Sequence, residues 1–204
     1  FISVVIPTLD RSTTLSRALD SVLCQTRQPD EIIVVDNGST DGTITMLKAN
    51  YPTVLRFRET KPGVSAARNK GILSAKGTWI ALLDSDDAWL PSKLEKQLKA
   101  NRKYPGHRLL HTNELWYRRG KRVNQMKKHE KRGGNIFEYC LKLCCISPSS
   151  VLIKKSLFED VGQFDETLPA CEDYDMWLRV CAREPVLYVD EPLTIKHGGH
   201  EDQL

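Results

Sequence analysis

The stretch Trp79-Ile-Ala-Leu-Leu-Asp84-Ser85-Asp86-Asp87-Ala-Trp-Leu-Pro91 decides how the rest of the chain is read. A short run of large apolar residues stops at three carboxylates. The run is too short to cross a membrane and predicts a buried strand, with Asp84 where that strand leaves the core. Three acids within four positions repel one another and call for compensation. Two readings follow. Carboxylate oxygens suit a hard divalent cation such as Mg2+ or Mn2+. Alternatively, the acids form a solvated loop that caps the next helix.

Working outward, Ile2 to Thr8 and Glu31 to Asp36 are β-branched runs that predict two further buried strands. Between them, apolar residues at 15, 18, 19, 22 and 23 keep helical spacing, with Ser12 or Thr13 as its cap. A short helix ending at Asn50, a weaker strand over Thr53 to Phe57 and a helix over Val64 to Ala75 come next. After the acidic stretch, Lys93 to Lys103 reads as a helix with a charged outer face. Strand and helix alternate through roughly the first hundred residues, which calls for a mainly parallel sheet with helices on its faces. Ligands in such sheets sit beyond the carboxyl ends of the strands. Asp10, Asp36 and Asp84 to Asp86 all fall there.

The second half is less regular. Strands are expected over Leu109 to Tyr117, Ser149 to Ile153 and Val186 to Val189. Helices are expected over Asn135 to Cys144, Lys155 to Val161 and Asp173 to Cys181. His197 and His200 fall in a Gly-rich terminal segment. No internal repeat or linker divides the chain, so residues 1–204 are read as a single domain, with a ligand-binding half over about 1–103 and an irregular half over about 104–204.

Composition excludes several classes. The chain has 204 residues, 40% hydrophobic and 27% charged, with a net charge of +4. That charge is too small to imply a nucleic-acid partner. No apolar run approaches a membrane span. The chain opens at Phe1, already inside a strand-like run, as an excised domain would. Eight Lys or Arg lie at 118, 119, 121, 122, 127, 128, 131 and 132, against the single acid Glu130 in the same stretch. This cluster reads as a solvated loop or hairpin. A sharper reading makes it an acceptor-side flap or a peripheral contact with an anionic membrane surface. Cysteines at 24, 140, 144, 145, 171 and 181 lack zinc-type CxxC spacing. They read as reduced thiols of a cytoplasmic protein, partly buried as small hydrophobes.

The chain resembles the family-two inverting glycosyltransferases of the GT-A fold. The matching pieces are Ser3-Val-Val-Ile-Pro-Thr8 with Arg11; Glu31-Ile-Ile-Val-Val-Asp36-Asn-Gly-Ser-Thr-Asp-Gly42; Gly63-Val-Ser-Ala-Ala-Arg68-Asn69-Lys-Gly71; Leu83-Asp84-Ser85-Asp86-Asp87; and Glu172-Asp173-Tyr-Asp175-Met-Trp-Leu-Arg179. They stand in the family's order and cover nearly the whole chain. The resemblance implies an α/β, Rossmann-like central mixed sheet flanked by helices, and an enzyme that moves a sugar from a nucleotide-sugar donor, UDP-linked, to a glycan or lipid-linked hydroxyl acceptor. Asp84-Ser85-Asp86 looks like the family's DxD motif, which implies nucleotide contact for Asp84 and Ser85 and divalent metal for Asp86. Pro7, Thr8, Arg11, Asp36, Ser65 and Arg68 are implied to line the nucleotide pocket. Glu172-Asp173 resembles the pair that supplies the catalytic base, and His197 a late histidine near the metal. Asp87 is left to cap or support its neighbours. Leu9-Asp10 departs from the family's usual Tyr-Asn.

Several of these residues have plainer roles open to them. Glu172 and Asp173 suit a helix start, Asp175 can pair with Arg179 one turn on, and Arg68 can be a surface helix charge. Two other functions compete. A nucleotidyltransferase shares such a sheet, but its Gly-rich phosphate signature is missing near the N-terminus. A non-catalytic sugar-nucleotide-binding domain would not need carboxylates at every expected position. A dinucleotide oxidoreductase fails because no GxGxxG follows the first strand.

Overall fold

The computed structural model describes residues 1–199, so His200 lies outside the described residues. The first half comprises β1 (Ile2–Thr8), α1 (Leu15–Leu23), β2 (Glu31–Asp36), α2 (Thr43–Asn50), β3 (Leu55–Arg58), α3 (Val64–Ser74), β4 (Trp79–Leu82), β5 (Ala88–Trp89) and α4 (Lys93–Lys103). The second comprises β6 (Leu109–Arg118), β7 (Lys121–Val123), α5 (Phe137–Cys140), β8 (Leu152–Lys154), α6 (Leu157–Val161), α7 (Glu172–Cys181) and β9 (Leu187–Gly198). Among the described residues these strands form one sheet in the order β3-β2-β1-β4-β8-β6-β9-β5, with β7 on β6. The block β3-β2-β1-β4 is parallel, as the alternating pattern predicts. β8 then runs antiparallel to both β4 and β6, which makes the sheet mixed.

The pleat explains why the strand runs are almost wholly apolar. Successive side chains of β1 point to opposite faces, and both faces are covered. Val5 packs in one layer with Ile33, Ala67, Leu82, Ile153 and Trp177. Val4 and Ile6 pack in the other with Leu19, Leu47 and Leu94. Gly71 lets α3 lie against β1: a Cβ there would stand 2.3 Å from Val5 Cγ1. That close approach fixes Arg68, one turn earlier on α3, beside the carboxyl ends of the strands.

Several elements differ from expectation. Thr14 precedes α1 and makes no side-chain cap bond, so neither Ser12 nor Thr13 is the cap. Lys93 is not on an outer face. It is fully buried, its ammonium 4.1 Å from the Trp89 ring centroid and within 3.3 Å of the Val151 carbonyl. The helix expected over Asn135 to Cys144 stops at Cys140. The chain then turns, and Cys140 and Cys145 bury their sulfurs 2.9 Å apart. Ser149 and Ser150 belong to a 3-10 turn, and the strand begins only at Leu152.

The largest difference is β9. It does not end at Val189 but runs to Gly198, paired along β6, with its register shifted around Asn113 and Pro192. Asp190-Glu-Pro192 is turn-like in sequence because proline supplies no N–H to a ladder. A bulge absorbs it, and Thr194–Ile195 rejoin the sheet against β5.

Candidate active site

The carboxyl ends of β1 and β4, the start of α3, the start of α7 and the end of β9 enclose a cleft of about 630 Å³. Pro7, Thr8 and Arg11 line it from β1 and the turn that follows; Asp84, Ser85, Asp86 and Asp87 line it from the β4–β5 loop. Arg68, Glu172, Asp173, Lys196 and His197 line the facing side. Parallel strands leave this edge open because their crossovers begin there.

Arg68 forms the floor. Its side chain is buried, with Nη2 2.8 Å from Asp84 Oδ1 and Nη1 2.5 Å from Glu172 Oε1. Its guanidinium also lies 5.4 Å from the Phe164 ring centroid. Burial works against the charges of Arg68 and Asp84, yet their mutual attraction prevails. Arg68 is raised above its usual value, and Asp84 is held below the usual carboxylate range by the Arg68 and Lys196 charges.

Asp173 behaves differently. It accepts the Tyr174 N–H at 2.7 Å, and the Cys144 thiol lies 3.7 Å from its Oδ2. Burial raises it above the usual carboxylate range, and Glu172 and Asp84 add to that, while Arg68 opposes. Two neighbouring acids are thus tied to one cation, and the third is left raised and facing the cleft.

Asp87 is buried and accepts the Ser149 hydroxyl at 2.6 Å and the His197 N–H at 3.0 Å. Burial, with Asp84 and Asp86 beside it, pushes Asp87 up to about 8 while Lys196 pulls it down. The supporting part expected of Asp87 is therefore to tie the acidic loop to β9. His197 stacks on Tyr117 at 5.7 Å between ring centroids. Burial and the Arg17 charge hold it below its usual value despite Asp86, which favours the neutral imidazole.

Residues 3–162 match the profile of Glycosyl transferase family 2. The chain belongs to this family. An uncharacterized glycosyltransferase of Rickettsia bellii is 33% identical over 99% of this chain and 30% of its own length. One from Rickettsia typhi is 30% identical over 99% of this chain and 65% of its own. The family-2 chain therefore spans between about a third and two thirds of these relatives. An Escherichia coli UDP-Glc:alpha-D-GlcNAc-diphosphoundecaprenol beta-1,3-glucosyltransferase is 29% identical over 88% of this chain and 69% of its own length. Among solved structures, S. aureus TarS 1–349 superposes with a TM-score of 0.78 at 18% identity, over 96% of this chain and 60% of that one. Its complex with UDP-GlcNAc gives 0.75 at 20% identity, over 98% and 59%. These superpositions match the GT-A expectation for the fold.

Within this family-2 cleft most of the expected residues come together, with exceptions. Asp36 is buried under the rim and accepts the N–H groups of Gly38 and Ser39 at 3.3 and 3.1 Å; its neighbour Asn37 is the residue that lines the cleft. Ser65 is likewise buried in α3, outside the lining, with its hydroxyl unpartnered. The Thr8 hydroxyl, also without a partner, is at the cleft wall. Asp10, left-handed at φ 50°, uses its carboxylate to accept the Thr40 N–H at 2.7 Å and so pins the loop after β2. Cys171, expected to pack, is exposed at the rim with φ 62°, turning the chain into α7. Asp175 does pair with Arg179, at 2.7 Å.

Lys196 is the main residue that sequence reading passed over. Burial disfavours its charge, but Asp87, Glu114, Asp84 and Asp173 surround it and raise it. The β-branched pair Thr194–Ile195 just before it was the available signal for a strand. Arg17 was also missed; its guanidinium donates to the Asp86 carbonyl. One member of the basic cluster is misplaced too. Lys131 is buried, 2.8 Å from the Cys145 carbonyl and 3.3 Å from Glu114, while the other seven are exposed.

Among the described residues no group of three or more His, Cys, Asp and Glu is arranged to hold a metal ion. Of the residues expected at a metal, Asp86 brings a hard carboxylate and His197 an imidazole to this cleft. That donor set fits Mg2+ or Mn2+ only with ligands from a bound phosphate and water, the usual manner for Mg2+ at phosphate sites.

Proposed function

We propose that this chain moves a sugar from a UDP-sugar to a hydroxyl of a glycan or lipid-linked acceptor, with inversion at the anomeric carbon. The observation that carries this reading is a single cleft holding the sheet-edge acids Asp84 and Asp86 and, across Arg68, the raised carboxylate of Asp173. Support comes also from the names of related proteins: one relative is named for transfer from UDP-Glc to a diphosphoundecaprenol-linked sugar, and a protein of the same fold is seen with UDP-GlcNAc.

Thr8 and Arg11 would receive the nucleotide, with Asp36 near the base and Asp84 and Ser85 near the ribose. Arg68 keeps Asp84 charged, holds Glu172 in place, and brings positive charge to the floor of the site. Glu172, committed to Arg68, orients the start of α7. Asp173 takes the acceptor proton as the hydroxyl attacks; general-base help of this kind is worth about 10²–10⁴-fold. Asp86 and His197 would hold a divalent cation, which when bound offsets the charge that builds on the leaving diphosphate. The exposed cations of the β6–β7 hairpin and the turn after it would rest against the anionic inner face of the cell membrane.

Titrating UDP with and without Mn2+ tests the core of this reading. Mn2+ should tighten binding to the native protein, and Asp86→Ala should remove that dependence; binding that stays metal-dependent in the variant overturns the metal assignment. Slow release of UDP from one donor is expected on incubation with sugar nucleotides. Pyrophosphate release would point instead to nucleotidyl transfer, and binding without turnover to a non-catalytic domain. For the membrane contact, binding to anionic liposomes should be lost on replacing Lys121, Arg122, Lys127 and Lys128 with Gln. If the native protein leaves such liposomes unbound, the contact does not exist.

A further inference from the structure

A second cavity, of about 260 Å³, opens in the second half of the chain. It is smaller than the roughly 300–1,000 Å³ of pockets for drug-sized ligands, and so suits a single ring more than a chain of them. Asp173 and Lys196 line this cavity and the larger cleft alike. The same carboxylate is therefore reachable from two sides, as a base between two substrates must be.

The remaining walls have the chemistry of a site for a neutral, polyhydroxylated ring. Trp116 on β6 and His129 on a separate 3-10 turn, Lys127–His129, meet edge to face, 5.0 Å between centroids, and both line the cavity. Aromatic side chains of this kind bury the apolar C–H face of a pyranose, and the His129 ring adds a polar edge for its hydroxyls. Glu114 is buried behind them and held by three donors: the Ser147 hydroxyl, Trp116 Nε1 at 2.8 Å and the Lys131 ammonium at 3.3 Å. This network fixes the Trp116 ring before any ligand arrives, which lowers the ordering cost of binding.

We propose that this cavity seats one pyranose ring of the acceptor, and that Trp116 and His129 select it. The proposal rests on the transferase reading and deepens it. The seated ring turns one hydroxyl toward Asp173. Its oxygen forms the new bond to the donor's anomeric carbon as the bond to the UDP oxygen breaks. The bonding pair leaves with UDP, and the hydroxyl proton passes to Asp173.

The test uses the native protein loaded with UDP and Mn2+, and Trp116→Ala and His129→Ala variants of it. The probes are methyl glycosides of glucose, galactose, N-acetylglucosamine and N-acetylgalactosamine, followed by saturation-transfer NMR. At least one glycoside should bind the native protein, and each substitution should weaken it by about tenfold or more. UDP affinity, measured on the same samples, should change by less than about twofold. His129 sits on a surface turn, so its variant reports even if Trp116→Ala misfolds. The proposal is overturned if no glycoside binds the native protein, or if binding survives the His129 substitution. Failure of the native protein to bind UDP at all would instead defeat the transferase reading beneath it.

Discussion

Two buried ion networks lie on either side of Asp173, and they are built differently. Arg68 joins Asp84, 16 residues away, to Glu172, 104 residues away. It is the clasp between the sheet edge of the first half and the helix of the second. Glu114 gathers Lys131, Ser147 and Trp116, all from the second half, and so organises one wall locally. In the first network one cation pairs with two acids, so losing it leaves Glu172 without its partner and Asp84 with only the Lys196 charge. The second has three donors for one acid, so losing any one leaves the acid served. The contrast separates a clasp that assembles the site from a wall that shapes it.

The two networks can be told apart by breaking the groups between and within them. The largest effect is expected at the carboxylate they share. Asp173→Asn should lower kcat by about 10²–10⁴-fold with UDP affinity kept, read from steady-state transfer or donor hydrolysis. A loss of affinity in place of kcat would move the base elsewhere. Next comes the clasp. Arg68→Met takes the buried cation from two partly buried carboxylates, leaving Asp84 only the Lys196 charge, and should cost about 3–5 kcal/mol in denaturant unfolding, with UDP binding weakened as well. Lys131→Met should cost less, about 1–3 kcal/mol, because Ser147 and Trp116 still serve Glu114. Equal losses in the two variants would erase the distinction.

The smallest and sharpest readout is pH. A base whose proton affinity is raised by burial is protonated first as pH falls. The acid limb of kcat/KM should therefore lie above the roughly 4 of an ordinary carboxylate, with activity full above it and lost below. A limb at or under that value would mean that Arg68 controls Asp173 more strongly than burial does.

The halves also differ in how much could be read in advance. β1, β2 and β4 follow from apolar runs because their side chains are buried on both faces, and α1 follows from the helical period of its one buried face. Asp84 and Asp86 stand out at the end of such a strand, whereas Arg68, Glu172 and Asp173 were expected in the cleft through the family resemblance; all five line it. Lys196, Glu114 and Ser147 were not. Each is a polar residue within or beside a strand-like stretch, and nothing local distinguishes an inward lysine from an exposed one. Lys131 shows the point directly: it looks like its neighbours in a basic run but turns inward to Glu114.

The amino-acid sequence by itself determined that the first strands form a parallel block, the acidic turn at its edge and the acids opening α7, while the strand order β3-β2-β1-β4 came from the structure. These depend on short-range patterns, since hydrophobic period and strand-end chemistry are written within a few residues. Only the tertiary structure decided that β9 continues past Pro192 to deliver Lys196 and His197. The same holds for Arg68 clasping both halves, and for a second cavity sharing Asp173 with the first. Those outcomes are set by which buried charge finds which partner across the fold, a choice made by the pairing energy of distant groups in a low-dielectric interior.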